Sequence, residues 1–231
     1  MSDYDWRKWT GNQWRDRFPR QAIGYVQWQE YWRSYLPEGK GTPLDSLMSI
    51  WDDPKSRSLI QCPRLFISHR QSDDQLARRI AWMAKQEGFD YWLDVEDPIL
   101  DALGMGLGST LTYFQRSIGI ACVIEMALLN CSHVAAVISP ATQQSRWVPY
   151  EFGRVKDKRL ISLKAGSWVH PKLDMSQLLE YLHLGKLTDN EVDLKGWLRD
   201  EFTNWTKRNR CCSGGSTNLW NGAEPPALSE A

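Results

Sequence analysis

The fold is decided by residues 64–94, which read RLFISHRQSDDQLARRIAWMAKQEGFDYWLD. The short β-rich runs 64–68 and 89–93 predict two strands. Residues 74–86 between them carry apolar side chains at helical spacing. Gly88 follows, and a residue that tolerates a positive φ commonly ends a helix. A strand, a helix and a second strand of these lengths predict a parallel sheet with crossover helices.

The same alternation of elements continues along the chain, so that one α/β domain is predicted over residues 59–207. The further elements predicted for it are, in chain order, an apolar helix over 117–130, a third strand over 134–138, a helix beginning near Trp147, two more strands over 159–163 and 181–184, and a closing helix over 191–207. The region at each end of the chain differs from this domain in composition.

Residues 1–58 predict a Trp-rich N-terminal arm with one helix and a turn-rich linker. Its four aromatic residues at helical spacing form a single stripe, which favours packing on the domain or on a second subunit. They are Trp28, Tyr31, Trp32 and Tyr35. After residue 208 the chain is rich in Ser, Gly, Asn and Pro, so residues 208–231 predict a disordered tail.

Composition excludes several classes of function. Lys+Arg and Asp+Glu balance at 28 each, which gives no reason to expect a nucleic-acid partner or an anionic membrane surface. No segment is apolar enough over a sufficient length to span a bilayer. The five cysteines show no metal-binding spacing, and the acidic residues at 96, 97 and 101 fall where turns are expected. We therefore expect a soluble cytoplasmic protein without a metal.

One candidate site lies in residues 145–153, which read SRWVPYEFG. Trp147 and Glu151 are four residues apart and share a helix face, and Ser145 is a suitable N-cap. Because the third predicted strand ends shortly before, Glu151 is expected near the carboxyl edge of the sheet, where α/β folds bind ligands. A carboxylate beside an indole can meet a cationic glycosidic substrate. On spacing alone, an ordinary surface glutamate is the more common case.

Four segments together carry a resemblance to a known family. The run from Phe66 to Arg70 resembles the first box of Toll/interleukin-1 receptor (TIR) domains, and Tyr91 to Asp94 resembles their second strand and the start of the loop after it. Residues 124–134 resemble their second helix, and the pair Trp147 and Glu151 matches the segment that carries the catalytic glutamate of NAD-consuming members. The resemblance implies a flavodoxin-like five-stranded parallel sheet with helices on both faces. Residues 94–115 form a longer loop than the family usually has.

The chemistry that the resemblance implies needs only one carboxylate. Nicotinamide leaves NAD+ as a neutral molecule and therefore needs no acid, so an ionised Glu151 can hold the ribose and stabilise the cationic transition state. His69 and Arg70, at the end of the first strand, are expected to meet the dinucleotide, with Arg70 on a phosphate. Asp94 is expected either to bind a ribose hydroxyl or to cap the following turn. Trp147 is expected either to wall the crevice or to anchor the core.

The resemblance therefore implies an NAD+ glycohydrolase that releases nicotinamide together with ADP-ribose or a cyclic isomer, with NAD+ as substrate and not as a cofactor. It is closest to stand-alone prokaryotic members that act in defence signalling. A homo-oligomer formed through the domains and the N-terminal arm is expected, as is a downstream effector that senses the product. The alternative from another class is a non-catalytic adaptor that binds partners through the same loops.

Overall fold

The computed structural model describes residues 63–97, 131–154, 164–209 and 222–229, together with separate helical positions between 100 and 128. The N-terminal arm with its aromatic stripe lies outside the described residues. The chain divides into two compact units, one of residues 1–60 and 97–130 and the other of residues 61–96 and 131–231. In the first unit, the described positions within 117–128 are helical, in agreement with the helix predicted there.

The second unit is built on a five-stranded parallel sheet with the strand order β2-β1-β3-β4-β5. Its strands are β1 (Arg64–Ser68), β2 (Asp90–Trp92), β3 (His133–Ile138), β4 (Ala165–Val169) and β5 (Lys186–Thr188). This order is the flavodoxin-like one, and it confirms the predicted fold class. The first three strands lie within a residue of their predicted positions.

Three helices of this unit are described, namely α1 (Asp74–Gln86), α2 (Trp147–Arg154) and α3 (Glu191–Asn209). The chain leaves α1 through Gly88, whose φ of 91° is the left-handed conformation that the sequence predicted at this helix end. A Cβ at Gly88 would come within 2.7 Å of the Phe202 ring on α3, so the position also needs the missing side chain for packing. Gly88 therefore has two reasons to be glycine.

The helices lie on both faces of the sheet. From β1 the chain passes through α1 to one neighbour, and from β3 it passes through α2 to the strand on the other side. Right-handed crossovers in opposite directions place α1 and α2 on opposite faces. Leu65 and Ile67 of β1 pack with α1 and α3 in one buried cluster. Ser68 is next along the strand and points to the other face, where α2 lies.

Two of the predicted strands need comment. Residues 159–163, predicted as the fourth strand, lie outside the described residues, and β4 is formed by Ala165–Val169. Its first three residues are small, so the segment carries little apolar signal. Gly166 is required there because a Cβ would lie 2.8 Å from the Trp197 ring.

The fifth predicted strand was wrong. Residues 181–184 belong to a 3-10 helix, Glu180–Leu184, and the strand β5 follows it. The amides of Leu182 and Gly185 donate to carbonyls three residues earlier, at 3.0 and 3.1 Å. These turn bonds bury Leu182 while Leu184 points to solvent, so a short apolar run that resembled a strand is instead a turn with one anchoring side chain.

The predicted disordered tail also needs a correction. The helix α3 continues to Asn209, and residues 222–229, which we call the C-terminal strap, belong to the second unit and pack on its core cluster through Leu228. Arg79 donates to Glu224 at 2.6 Å and to the Pro225 carbonyl at 2.9 Å. Leu228 is 2% exposed and belongs to the core cluster. The polar composition concealed these two specific anchors, because a segment without regular structure can still be held by one leucine and one ion pair.

We expect the strap to contribute measurably to stability. Replacing Leu228 with Ala should lower the free energy of unfolding by about 2–3 kcal/mol, as for other buried leucines. Leu184→Ala is the matched control, since Leu184 is 55% exposed and its loss should change stability by less than about 0.5 kcal/mol. Urea denaturation followed by tryptophan fluorescence measures both. Equal unfolding midpoints for the two variants would show that the strap is not anchored by Leu228.

Within the part of the chain that the structure describes, no helix is both long enough and apolar enough to cross a membrane.

Candidate active site at the carboxyl edge of the sheet

The candidate site lies where the order of the sheet reverses. The connections from β1 and β3 depart in opposite directions, and open α/β sheets bind their ligands at the carboxyl ends of the strands that flank such a point. The turn after β1 carries His69 and Arg70, the turn after β2 carries Asp94, and Glu151 follows β3 on α2. Four of the residues singled out from the sequence thus come from three adjacent connections.

Glu151 is buried and is held by the end of β1. Its carboxylate oxygen Oε2 accepts a hydrogen bond of 2.5 Å from the hydroxyl of Ser68, and its side chain is only 6% exposed. The start of α2 fixes this position, because Ser145 Oγ accepts bonds of 3.3 Å from the amides of Trp147 and Val148. Glu151 therefore lies one turn into a capped helix, at the predicted edge of the sheet. It is not the surface glutamate that the spacing left open.

The environment of Glu151 changes its acidity. Burial raises the pKa of its carboxyl group from 4.5 to about 7, the hydrogen bond from Ser68 acts against this rise, and the nearby charge of Asp94 adds to it. At neutral pH the carboxyl group is therefore divided between the neutral and ionised forms. A carboxyl with a pKa in this range, in a crevice at a strand end, is typical of a functional site.

Asp94 and His69 form the second part of the site. The distance from His69 Nε2 to Asp94 Oδ1 is 3.3 Å, and the same oxygen accepts the Val95 amide at 2.7 Å. Asp94 therefore caps the turn after β2, one of its two predicted roles. Burial raises the pKa of Asp94, although the neighbouring His69 lowers it. The side chain of His69 is only 1% exposed, so it offers little surface to a ligand.

Arg70 and Trp147 lie at the exposed border of the site. Arg70 is exposed, and its Nη1 donates to the Ala141 carbonyl at 2.8 Å, which links the turns after β1 and β3. Trp147 is 41% exposed and stands edge-on to Tyr150, with 6.0 Å between the ring centroids. The expectation that Trp147 anchors the core is therefore wrong, because an anchoring indole would be buried. Its other expected role, as a wall of the crevice, is compatible with this exposure.

Sequence reasoning did not single out Ser68, the partner of Glu151. It was quoted only as part of a family box, yet it is the polar residue that ends a buried strand directly after three apolar residues. A second missed feature is the cluster of Asp73, Ser139 and Thr142. Asp73 Oδ2 accepts bonds from the two hydroxyls, at 2.7 and 3.2 Å, and ties the turn after β1 to the turn after β3. A hydroxyl residue directly after an apolar run was the available signal for both Ser68 and Ser139.

A serine, a histidine and a glutamate also meet at the opposite edge of the sheet. Ser132 Oγ lies 2.8 Å from His133 Nδ1, and His133 Nε2 lies 3.1 Å from Glu201 Oε2. All three side chains are buried, and the Ser132 hydroxyl also bonds to the backbone amide and carbonyl of Arg64. This hydroxyl is engaged and inaccessible, so the arrangement fastens the sheet and is not a nucleophilic site.

Comparisons with known proteins bear on this fold and site. A scan against protein-family models matches residues 65–198, more than half of the chain, to the TIR domain. A search of curated proteins gives no match. Among solved structures, the chain is similar to a diflavin flavoprotein A3 from Nostoc sp. at 12% identity and a TM-score of 0.34, over 64% of this chain and 96% of that one. The matched family region contains both the sheet and Glu151.

Proposed function

Since the chain belongs to the TIR domain family, we propose that it is an NAD+ glycohydrolase that cleaves the bond between nicotinamide and ribose. The observation that carries the proposal is the buried Glu151, bonded to Ser68 at the switch point of the sheet, with a pKa near 7. A glutamate with only a structural role on a helix does not need to be buried at the carboxyl edge of the sheet. A carboxylate that stabilises positive charge away from water does need a buried position.

The proposed chemistry follows from the charge of the substrate. In NAD+ the bond to the pyridinium nitrogen breaks with both electrons going to nicotinamide, which leaves as a neutral molecule. Positive charge develops on the ribose ring, and the ionised Glu151 stabilises it at short range. We assign the substrate-facing role to Oε1, because Oε2 accepts the Ser68 bond. Water, or a nucleophile within the product, then completes the reaction and gives linear or cyclic ADP-ribose.

The other site residues have supporting roles in this proposal. Asp94, close enough to Glu151 to raise its pKa, would accept a bond from a ribose hydroxyl. His69 holds Asp94 in place. Arg70, exposed at the border, would donate to a phosphate of the dinucleotide, and Trp147 would wall the crevice on the α2 side.

The rate of NAD+ cleavage should depend on pH with a midpoint near 7. Burial raises the pKa of Glu151 to about 7, so the active ionised form increases as the pH rises from about 6 to 8. Asp94→Asn should move this midpoint to lower pH, because the variant lacks the negative charge that opposes ionisation of Glu151. Initial rates of nicotinamide release across this range measure both profiles.

The matched control for that experiment is Asp200→Asn, which removes an exposed carboxylate from α3. Its profile should coincide with that of the wild type. A rate independent of pH between about 5.5 and 8.5, or the same midpoint in Asp94→Asn as in the control, would contradict the role given to the Glu151 carboxylate.

The proposal also covers self-association of the chain and its biological role. Members that cleave NAD+ build their working site where domains pack together, so we propose a homo-oligomer to which the N-terminal arm contributes. We propose for it the defence role that the resemblance to prokaryotic members of the family implies, with a downstream effector that senses the product. The competing function is a non-catalytic adaptor, which binds partners and needs no buried carboxylate. An adaptor function therefore does not explain why Glu151 is buried near Asp94.

A further inference from the structure

A cavity of about 520 Å³ lies at the same edge of the sheet, on the side of α1. Its polar lining comes from the turn after β1, the residue that follows β3 and the turn after β4, and Pro226 of the C-terminal strap forms one wall. The lining residues used below are Ser72, Asp73, Ser139, His170, Lys172 and Pro226. The volume is within the range of pockets that hold small molecules.

The cavity presents donors of hydrogen bonds and a positive charge. The backbone amide of Lys172 donates to His170 Nδ1 at 3.0 Å, so the neutral imidazole carries its proton on Nε2, where it is a donor. The Lys172 ammonium adds further donors, whereas the Ser72 hydroxyl donates to Asp73 Oδ1 at 3.5 Å. Burial of the ring lowers the pKa of His170, the charge of Lys172 lowers it further, and the charge of Asp73 acts against both.

Among the described residues that line the cavity, Asp73 supplies the carboxylate, and it already accepts hydrogen bonds from the protein. Asp73 accepts from the hydroxyls of Ser139 and Thr142, at 2.7 and 3.2 Å, and its side chain is buried. Lys172 is exposed and lines the cavity, so its ammonium is available to the contents of the cavity. The balance of exposed groups favours an anion.

We propose that this cavity is a second ligand site, which binds a phosphorylated molecule of mononucleotide size. Lys172 and His170 hold the phosphate at the end of β4, and the apolar wall with Pro226 faces the uncharged part of the ligand. The site lies on the α1 side of the sheet, whereas Glu151 is bonded to Ser68 on the α2 side. It therefore does not depend on the proposed NAD+ cleavage.

The C-terminal strap supplies Pro226 to the wall of this cavity, and specific contacts hold the strap in place. Arg79 binds Glu191 through two bonds of 2.8 and 2.9 Å and Glu224 through a third of 2.6 Å. The Leu228 amide donates to the same Glu191 at 2.6 Å. These contacts hold Pro226 against the cavity. Removing residues 222–231 opens that wall, and it should weaken the binding of the ligand.

The test is isothermal titration calorimetry with AMP as the phosphorylated probe and adenosine as its uncharged counterpart. Wild type should bind AMP, and adenosine should bind about tenfold more weakly or not at all, because the phosphate supplies a charged hydrogen bond. Lys172→Glu should weaken AMP binding by about tenfold or more. The matched control is Lys186→Glu, the same charge change at an exposed lysine that begins β5 at the opposite edge of the sheet.

Glu151→Gln separates this proposal from the catalytic one, since it should bind AMP as the wild type does. Loss of AMP binding in Glu151→Gln would place the probe at the catalytic site and overturn the second site. The proposal would also fail if wild type bound no AMP up to about 10 mM, if adenosine bound equally well, or if the two lysine variants behaved alike. Far-ultraviolet circular dichroism confirms that each variant is folded.

Discussion

Replacement of Glu151 by Gln is expected to lower the rate of NAD+ cleavage at pH 8 by about a hundredfold or more, the usual effect of removing a key electrostatic group. Gln keeps the shape of the side chain and can still accept the bond from Ser68, so the change removes little besides the charge. The effect should appear in kcat, because the charge acts on the cation that develops during bond breaking. Initial rates of nicotinamide release over a range of NAD+ concentrations measure it.

The same variant should be folded and, at high pH, more stable than the wild type. Burial raises the pKa of Glu151 from 4.5 to about 7, so ionisation is less favourable in the folded chain than in the unfolded one. The contribution of Glu151 to stability is therefore fully present below about pH 4.5 and is lost as the pH rises through about 7. At pH 8 the Gln variant avoids this loss, which amounts to roughly 3 kcal/mol.

Chemical denaturation at pH 5 and pH 8 checks that expectation. The difference in unfolding free energy between variant and wild type should be larger at pH 8. A variant that cleaves NAD+ at the wild-type rate would contradict the catalytic role. A variant that unfolds at both pH values would show instead that Glu151 is a structural residue.

Replacement of Ser68 by Ala should have the second largest effect, a fall in kcat of about tenfold to a hundredfold. Ser68 donates the only bond described for the Glu151 carboxylate within the described residues, at 2.5 Å, and so sets the direction of that side chain. We regard it as a positioning residue. Because this bond lowers the pKa of Glu151, the variant should also move the midpoint of the pH profile to higher values.

The matched control is Ser167→Ala. Ser167 is a buried serine on β4, and both it and Ser68 are paired with Ala136 of β3, so the two lie in one row across the sheet. Its hydroxyl has no hydrogen-bond partner among the described residues, and its loss should leave the rate close to that of the wild type. A fall in rate that is equal in the two variants, or a midpoint that does not move in Ser68→Ala, would show that the Ser68 bond has no special role.

Much of the sheet could be predicted because its elements are regular. The helix α1 begins and ends where the apolar periodicity does, and β1 is an uninterrupted buried run. The strand β4 could not be found in this way, since Gly166 and Ser167 give no apolar pattern and Gly166 is required by the Trp197 ring packed against it. The C-terminal strap was missed for a related reason. Its anchors, at Leu228 and Glu224, act through tertiary contacts that leave no periodic signal.

The sequence predicted where the candidate site lies, but not the burial, the hydrogen bond or the raised pKa of Glu151. The capped helix after β3 located Glu151 at the edge of the sheet, and this follows from local sequence alone. The burial of Glu151 and its bond to Ser68 join segments 83 residues apart, and no local pattern contains that information. The partnership of His69 with Asp94 is likewise a product of neighbouring parallel strands. For this reason the pH dependence can be predicted only from the structure.

The most direct test of the account is incubation of the purified full chain with NAD+, followed by separation of free nicotinamide by chromatography. Wild type should release nicotinamide in proportion to the time and to the loss of NAD+, and Glu151→Gln at the same concentration should release about a hundredfold less. The assay should be run at several protein concentrations, so that a requirement for self-association does not hide the activity. Absence of nicotinamide at every concentration, or equal release by the two proteins, would contradict the assignment of Glu151 as the catalytic residue of an NAD+ glycohydrolase.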